Sequence, residues 1–212
     1  MNFVLLNPVA KPFSFIAALL PLLSLGIGAV LDSLGVNPAE VLLRDTGNWT
    51  LRFLCLTLAV SPLRQWTGWH ALARFRRMLG LYAAFYGLIH LSLYAWLERN
   101  WQWGEIGYDI ATRRFIFLGL LGVVLMLPLA LTSRDRVIKA MGAARWKRLH
   151  KLTYVVAVLG LLHWLRIEEH RSLREWFVYA AIVTAFMLWR LRRLLLVRRA
   201  REKAGSGLNT VR

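Results

Sequence analysis

The sequence predicts an all-α polytopic membrane bundle of about six spans, and three observations point to it. Of the 212 residues, 58% are hydrophobic, and the mean hydropathy of +0.47 is well above that of a soluble domain. Only 18% of the residues are charged. These charges are grouped at the ends of long apolar runs, as in a chain that crosses a bilayer several times. We expect one domain over residues 1–212, because no linker or repeat divides the chain.

Three apolar runs are long enough to cross the hydrocarbon core as helices and contain no Asp, Glu, Lys or Arg. They are residues 12–31, 78–97 and 115–133. Three further runs cross only if a basic side chain is accommodated at their ends or, for Arg52, within the run. These are residues 46–63, 150–166 and 175–193. We therefore predict six spans, with three as the lower bound, followed by a basic cytoplasmic tail over residues 194–212.

The distribution of basic residues predicts the orientation of the chain. With six spans and the N-terminus inside, the inner segments hold 20 Lys and Arg residues against two acidic residues, and the outer loops hold seven against nine. This bias predicts a multi-pass protein of the bacterial inner membrane with both termini in the cytoplasm. It also accounts for the net charge of +17 by contacts with anionic membrane lipids, and it argues against nucleic-acid binding.

Two histidines lie inside predicted spans, where an ionisable side chain is costly and therefore indicates a site. His90 lies in the third span and His163 in the fifth, both in the outer half of the membrane. Their local sequences, Gly87-Leu-Ile-His90 and Gly160-Leu-Leu-His163, are similar, and each glycine lies on the helix face of its histidine, where it leaves room for a flat macrocycle. Two neutral imidazoles on facing helices are suitable axial ligands for haem b, so His90 and His163 are predicted metal ligands.

His150 is a third predicted ligand, near the inner membrane surface. It lies about 20 Å before His163 along a helix and about 140° away around it, so the two share a face only with extra winding or a frayed helix start. At the matching depth the third span has Arg76 and Arg77 instead of a histidine. A second, inner haem would therefore have His150 and a partner other than histidine. The alternative is that His150 contacts lipid headgroups.

Arg52 is the single charge inside the second span and lies near the depth of His90 and His163. An unpaired guanidinium at that depth would be costly. Because arginine pairs with carboxylates, we consider Arg52 a partner for a haem propionate. The alternative is that its guanidinium reaches phosphate headgroups at the interface.

The remaining histidines and the cysteine do not indicate a site. His70 and His170 fall in predicted loops, where solvent exposure is expected. Cys55 is the single cysteine and lies in an apolar run, so it is expected to be a small buried side chain without a disulfide.

Several of these segments together resemble the ferric reductase-like transmembrane family. The resemblance covers roughly residues 46–189 and implies that His90, His150 and His163 hold haem. Arginine stands where the wider oxidase and ferric reductase pattern has a fourth histidine. The matching segments are Gly47-Asn-Trp-Thr, Ser61-Pro-Leu-Arg64, Arg76-Arg-Met-Leu-Gly-Leu, Gly87-Leu-Ile-His90, Arg148-Leu-His150-Lys-Leu-Thr-Tyr and His163-Trp.

Within that family, the chain is most similar to haem-binding membrane subunits of bacterial systems that repair oxidised methionine in periplasmic proteins. The resemblance implies electron transfer to a periplasmic molybdopterin methionine sulfoxide reductase. The donor would be the quinol pool or a cytoplasmic flavin reductase, and FMN has also been assigned to the family. No Gly-x-Gly-x-x-Gly pattern follows a strand here, so the donor and the acceptor are expected to be other molecules.

Two other functions fit parts of the pattern. A transporter or channel without haem would use His90 and His163 as a proton relay. A membrane scaffold would keep both histidines as core side chains that hydrogen-bond backbone carbonyls. A Soret band that shifts on reduction would separate a haem protein from both alternatives.

Overall fold

The computed structural model describes residues 7–167 and 173–209, and within these ranges no strand occurs. The predicted all-α membrane bundle is therefore confirmed, while the prediction for His170 lies outside the described residues. The α-helices are α1 (Ala10–Val30), α2 (Pro38–Thr67), α3 (Arg76–Leu93), α4 (Trp103–Thr112), α5 (Arg114–Leu131), α6 (Asp135–Met141), α7 (Ala143–Leu149), α8 (Leu152–Ile167) and α9 (Leu173–Asn209).

Three helical segments of the described chain are long and apolar enough to cross a membrane by themselves. They are Ala10–Val30, His70–Glu98 and Arg114–Leu131, and they coincide with the three charge-free spans of the sequence prediction. The segment His70–Glu98 contains α3, a 3-10 turn before it and a π-helical turn, Tyr94–Glu98, after it. The count of six spans and the cytoplasmic location of both termini stay predictions.

The second predicted span forms part of a longer helix. Asn37 caps α2, since its side-chain oxygen accepts a hydrogen bond from the Glu40 amide at 3.2 Å, and Pro38 occupies the first helical position. Gly68 ends the helix with φ of 69°, a conformation that glycine adopts without strain. At 30 residues, α2 is roughly 45 Å long and extends well beyond the apolar run 46–63.

The helix that carries His163 begins after His150. Helix α7 ends at Leu149 and α8 starts at Leu152, so the chain is interrupted between the two histidines. Of the two conditions under which both histidines could face the same way, extra winding or a frayed helix start, the structure has the second. The tail also differs from the predicted span boundary at residue 193, because α9 continues as a helix to Asn209. Its sequence is rich in Leu, Arg and Ala and has no proline to end the helix.

Helix α2 lies at the centre of the bundle, with buried side chains on two of its faces. Phe53 and Leu54 belong to one cluster with residues of α3, α5 and α8. Leu51, Cys55 and Leu58 belong to a second cluster with α8 and α9. Cys55 is therefore a buried side chain, as the sequence predicts.

Helix α1 is attached to the bundle by two tyrosines of α3. The Tyr82 hydroxyl donates to the Phe15 carbonyl at 2.7 Å. The Tyr86 hydroxyl donates to the Ala18 carbonyl at 2.9 Å and accepts from the Leu22 amide at 3.2 Å. Tyr86 therefore bridges two backbone groups that are normally bonded to each other in a helix.

Candidate functional site

An outer cavity of about 370 Å³ lies between α2, α3, α5 and α8. Its volume is in the range of small-molecule and cofactor sites. His90 of α3 and His163 of α8 both line it, so the structure brings together the two histidines that the sequence predicts as ligands. Most of the other lining residues are apolar, which suits a macrocycle with a hydrophobic face.

The two imidazoles are at a distance that suits two ligands of one metal. Their ring centres are 6.1 Å apart and their planes are inclined at 81°. A metal–imidazole bond is about 2 Å and the ring centre lies about 1 Å behind the bonding nitrogen, so two axial imidazoles have centres roughly 6 Å apart. The separation of His90 and His163 matches that requirement.

Backbone carbonyls determine which ring nitrogen of each histidine is available. Nδ1 of His90 lies 3.0 Å from the Leu43 carbonyl oxygen, and Nδ1 of His163 lies 2.6 Å from the Phe115 carbonyl oxygen. Because a carbonyl can only accept, each Nδ1 must carry the hydrogen, which leaves Nε2 with its lone pair. This is the arrangement in which histidine ligands of metals are usually held.

Each of the two imidazoles packs closely against a glycine of a neighbouring helix. A Cβ atom at Gly119 would lie 2.7 Å from both Cε1 and Nδ1 of His163, and one at Gly47 would lie 3.2 Å from Cε1 of His90. Each glycine follows the carbonyl acceptor of its histidine by four residues, which is about one helical turn. No sequence pattern pointed to Gly119, and Gly47 stood out only as part of a segment that resembles the family.

The two glycines that the sequence analysis did single out also line the outer cavity. A Cβ atom at Gly87 would lie 2.8 Å from the Met126 methyl group, so a side chain there would compete for space. A Cβ atom at Gly160 would make only an ordinary contact, 3.8 Å from Leu51. The prediction that the absence of a side chain leaves room for a macrocycle is therefore better supported by the geometry at Gly87 than at Gly160.

An inner cavity of about 240 Å³ brings together His150, Arg76 and Arg77. Nδ1 of His150 lies 3.1 Å from the Trp146 carbonyl oxygen, and its ring stacks on that of Trp146 with centres 3.9 Å apart. Its Nε2 is buried and makes no hydrogen bond of good geometry among the described residues, although the ring also interacts with the Leu129 backbone. The burial of this nitrogen in a cavity fits a metal ligand better than a contact with lipid headgroups.

The two arginines of the inner cavity differ in their contacts. Arg76 is half-buried, and its Nη1 lies 3.4 Å from the Ser61 hydroxyl. Arg77 is exposed and donates to Asp135 at 2.6 Å. Arg76 is therefore the arginine that is held within the bundle beside His150.

Arg52 does not belong to the outer cavity. Its Nε donates to the Tyr179 hydroxyl at 3.1 Å, and its guanidinium carbon lies 4.7 Å from the centre of the Trp49 ring. Neither the predicted propionate contact nor the headgroup alternative is supported by these contacts. The arginines that do line the outer cavity are Arg44, Arg99 and Arg113. All three lie in loops that the sequence predicts on the outer side.

Comparison with known proteins gives both a family and full-length relatives. The model of the ferric reductase like transmembrane component family matches residues 46–161. The protein-methionine-sulfoxide reductase heme-binding subunit MsrQ of Polaromonas naphthalenivorans is 53% identical over 189 residues, which is 88% of this chain and 86% of the relative. The subunit of the same name from Azospira oryzae is 47% identical over 85% of this chain and 78% of its own length.

A longer protein contains a similar segment. The magnetosome protein MamZ of Magnetospirillum gryphiswaldense is 39% identical over 85% of this chain, but the matching segment is only 28% of that protein. No solved structure matches the chain significantly.

Proposed function

We infer that this chain, which belongs to the ferric reductase like transmembrane component family and groups there with the MsrQ subunits, is a haem-binding electron-transfer subunit of the bacterial inner membrane. The observation that carries this proposal is the pair His90 and His163. Their ring centres are 6.1 Å apart across a cavity, and each Nδ1 is bonded to a carbonyl. The similarity to heme-binding subunits supports haem as the ligand.

In this proposal the residues of the outer site have distinct roles. His90 and His163 would hold the iron of haem b through Nε2, and haem would supply one-electron redox chemistry. Leu43 and Phe115 fix the two rings through their carbonyls, while Gly47 and Gly119 leave room for them. The apolar lining excludes water and favours the macrocycle.

The inner cavity would hold a second haem, with His150 as a ligand through its buried Nε2. Arg76 and Arg77 line the same cavity and would supply cationic contacts. Leu54 and Met126 line both cavities, so the two sites are separated by single side chains. Two haems in this arrangement would carry electrons from the cytoplasmic side of the membrane to the periplasmic side.

The partners follow from the family and from the orientation. We propose that the acceptor is a periplasmic molybdopterin methionine sulfoxide reductase (MsrP-like) that repairs oxidised periplasmic proteins. The donor is the quinol pool or a cytoplasmic flavin reductase, and FMN is a further cofactor that the family suggests. The basic inner segments would contact anionic membrane lipids.

A proton relay through the two histidines is the alternative function, and their hydrogen bonds argue against it. A relay needs ring nitrogens that give up and accept protons in turn. Here each Nδ1 faces a backbone carbonyl, which cannot supply a proton. The same bonds are what a fixed metal ligand requires.

The test is an absorption spectrum of the full chain purified from haem-supplied cells, with iron measured per chain. We expect a Soret band that shifts when dithionite is added, and one or two iron atoms per chain. A colourless, iron-free preparation of folded protein would contradict the proposal.

A further inference from the structure

The charged side chains of the outer cavity all lie at one end of the bundle. They come from the start of α2, the end of the π-helical turn and the start of α5, which are neighbouring helix ends. The rest of the lining has no Asp, Glu, Lys or Arg, so a ligand with an ionised edge would point that edge here. The charged lining residues are Glu40, Arg44, Glu98, Arg99 and Arg113.

A buried carboxylate organises two of these arginines. The Asp109 side chain of α4 is only 3% exposed. One of its oxygens, Oδ1, lies 3.2 Å from Nε of Arg113. The other, Oδ2, accepts from Nε of Arg99 and, at 2.6 Å, from the Tyr94 hydroxyl. Each guanidinium group thus directs its Nε–H at this carboxylate, and Arg99 also interacts with the Tyr94 hydroxyl. The other N–H donors of each group lie on its two Nη atoms.

Two arginines share one buried carboxylate, which leaves one positive charge in excess among these three side chains. Glu40 and Glu98 line the same end of the cavity and are exposed, as is Arg113, so water and salt screen these three charges alike. Arg99, whose side chain is 20% exposed, is the less screened of the two arginines. Arg44 is paired instead with Asp45, at 3.4 Å.

We propose that Arg99 and Arg113, positioned by Asp109, bind the propionate carboxylates of the haem in the outer cavity. This rests on the proposed function. Arginine pairs with carboxylates through two parallel hydrogen bonds, so two fixed guanidinium groups suit the two propionates on one edge of the ring. The cluster would therefore determine which edge of the macrocycle faces the periplasm. Arg52, which the sequence offered as one candidate for this role, contacts Tyr179 and Trp49 instead.

The experiment compares haem b with its dimethyl ester, in which both propionates are neutral. The apoprotein of the full chain, in detergent, is titrated with each compound and followed by the Soret band. We expect the parent to bind haem b at least tenfold more tightly than the ester. The double variant Arg99→Gln/Arg113→Gln is expected to bind the two compounds equally.

Two control variants each remove a positive charge that lies outside the cavity lining. Arg114 is at the same end of the bundle as the cluster, and Arg52 is at a depth similar to that of the two histidines. Arg114 follows Arg113, is exposed, and does not line the cavity, and Arg52 lies in α2. Arg114→Gln and Arg52→Gln are each expected to keep the parent's preference for haem b. Ester binding by the double variant at the parent's affinity would show that its cavity is folded.

Each remaining result has a defined meaning. A parent without preference, or a double variant that keeps the preference, would overturn the propionate proposal while leaving haem binding intact. Loss of the preference in Arg52→Gln alone would assign the propionates to Arg52 and also overturn it. Failure of the parent to bind either compound would instead contradict the proposed function.

Discussion

Gly119 of α5 lies directly against the imidazole of His163 in α8. A Cβ atom at Gly119 would come within 2.7 Å of two ring atoms, closer than real side-chain contacts allow. The ring cannot move back easily, because its Nδ1 is bonded to the Phe115 carbonyl at 2.6 Å. We therefore predict that Gly119→Ala displaces His163 and removes more than half of the low-spin haem absorbance of the purified chain.

Gly26 of α1 provides a control in another apolar helix, away from the outer cavity. A Cβ atom there would meet nothing within 4 Å. Gly26→Ala should therefore keep the parent spectrum, and alanine is the better helix former by about 1 kcal/mol. Equal spectra for the two variants would contradict the role we give to Gly119.

The second prediction concerns the ligands themselves. His90→Ala and His163→Ala should each remove most of the outer haem absorbance, because the loss of one axial ligand opens the site. His70→Ala is the control, since His70 is exposed and lies in the 3-10 turn before α3. The ligand assignment would fail if both single variants kept a full low-spin spectrum.

The third prediction concerns orientation. The excess of Lys and Arg on one side predicts that both termini lie in the cytoplasm. Alkaline phosphatase fused after Arg199 should be inactive, and the same enzyme fused near Gly104, at the start of α4, should be active. The reverse pattern would place the outer cavity on the cytoplasmic side.

The fourth prediction concerns pH and the buried carboxylate of α4. Burial raises the pKa of Asp109, but hydrogen bonds from Tyr94 and Arg99 and the charges of Arg99 and Arg113 outweigh it, so the pKa lies below its ordinary value. A carboxyl group with a lowered pKa stabilises the folded state above its unfolded-state pKa of about 4, and this contribution is lost as the pH falls through the folded-state pKa.

Asp109→Asn is therefore expected to destabilise the neutral protein by roughly 2 kcal/mol, the scale of hydrogen bonds to a charged group. Thermal unfolding of parent and variant in detergent would be compared from pH 7 to pH 3. The difference between them should be largest at neutral pH and should shrink below about pH 4. A difference that does not change with pH would show that the carboxylate is not held ionised by these partners.

The sequence could predict the helices and the meeting of His90 and His163 at one depth for a simple physical reason. Apolar runs long enough to cross a bilayer stand out, and a histidine inside such a run is conspicuous because its burial is costly. The helix break after His150, where α8 begins, could be predicted only as a condition for His150 and His163 to share a face. The neighbouring sequence has no proline or glycine that would mark a break.

The parts that the sequence analysis did not identify depend on contacts between helices. Gly47 and Gly119 matter through the imidazoles that they face, and no spacing along one helix shows which helix is the neighbour. Asp109 and Arg113 are four residues apart, which is a signal for an ion pair on one helix side. That signal does not show that the pair borders a cavity. Similarly, no local sequence feature of Arg52 indicates that its side chain contacts Tyr179.

The attachment of α1 through Tyr82 and Tyr86 has a consequence for biogenesis. A membrane chain is synthesised from its N-terminus, so α1 is made before these two tyrosines exist. Until then, the Ala18 carbonyl and the Leu22 amide can bond each other, and the hydroxyl of Tyr86 takes its place between them only when α3 arrives. Insertion of α1 must therefore rely on its own apolar surface, and its docking is a later, separate step of assembly.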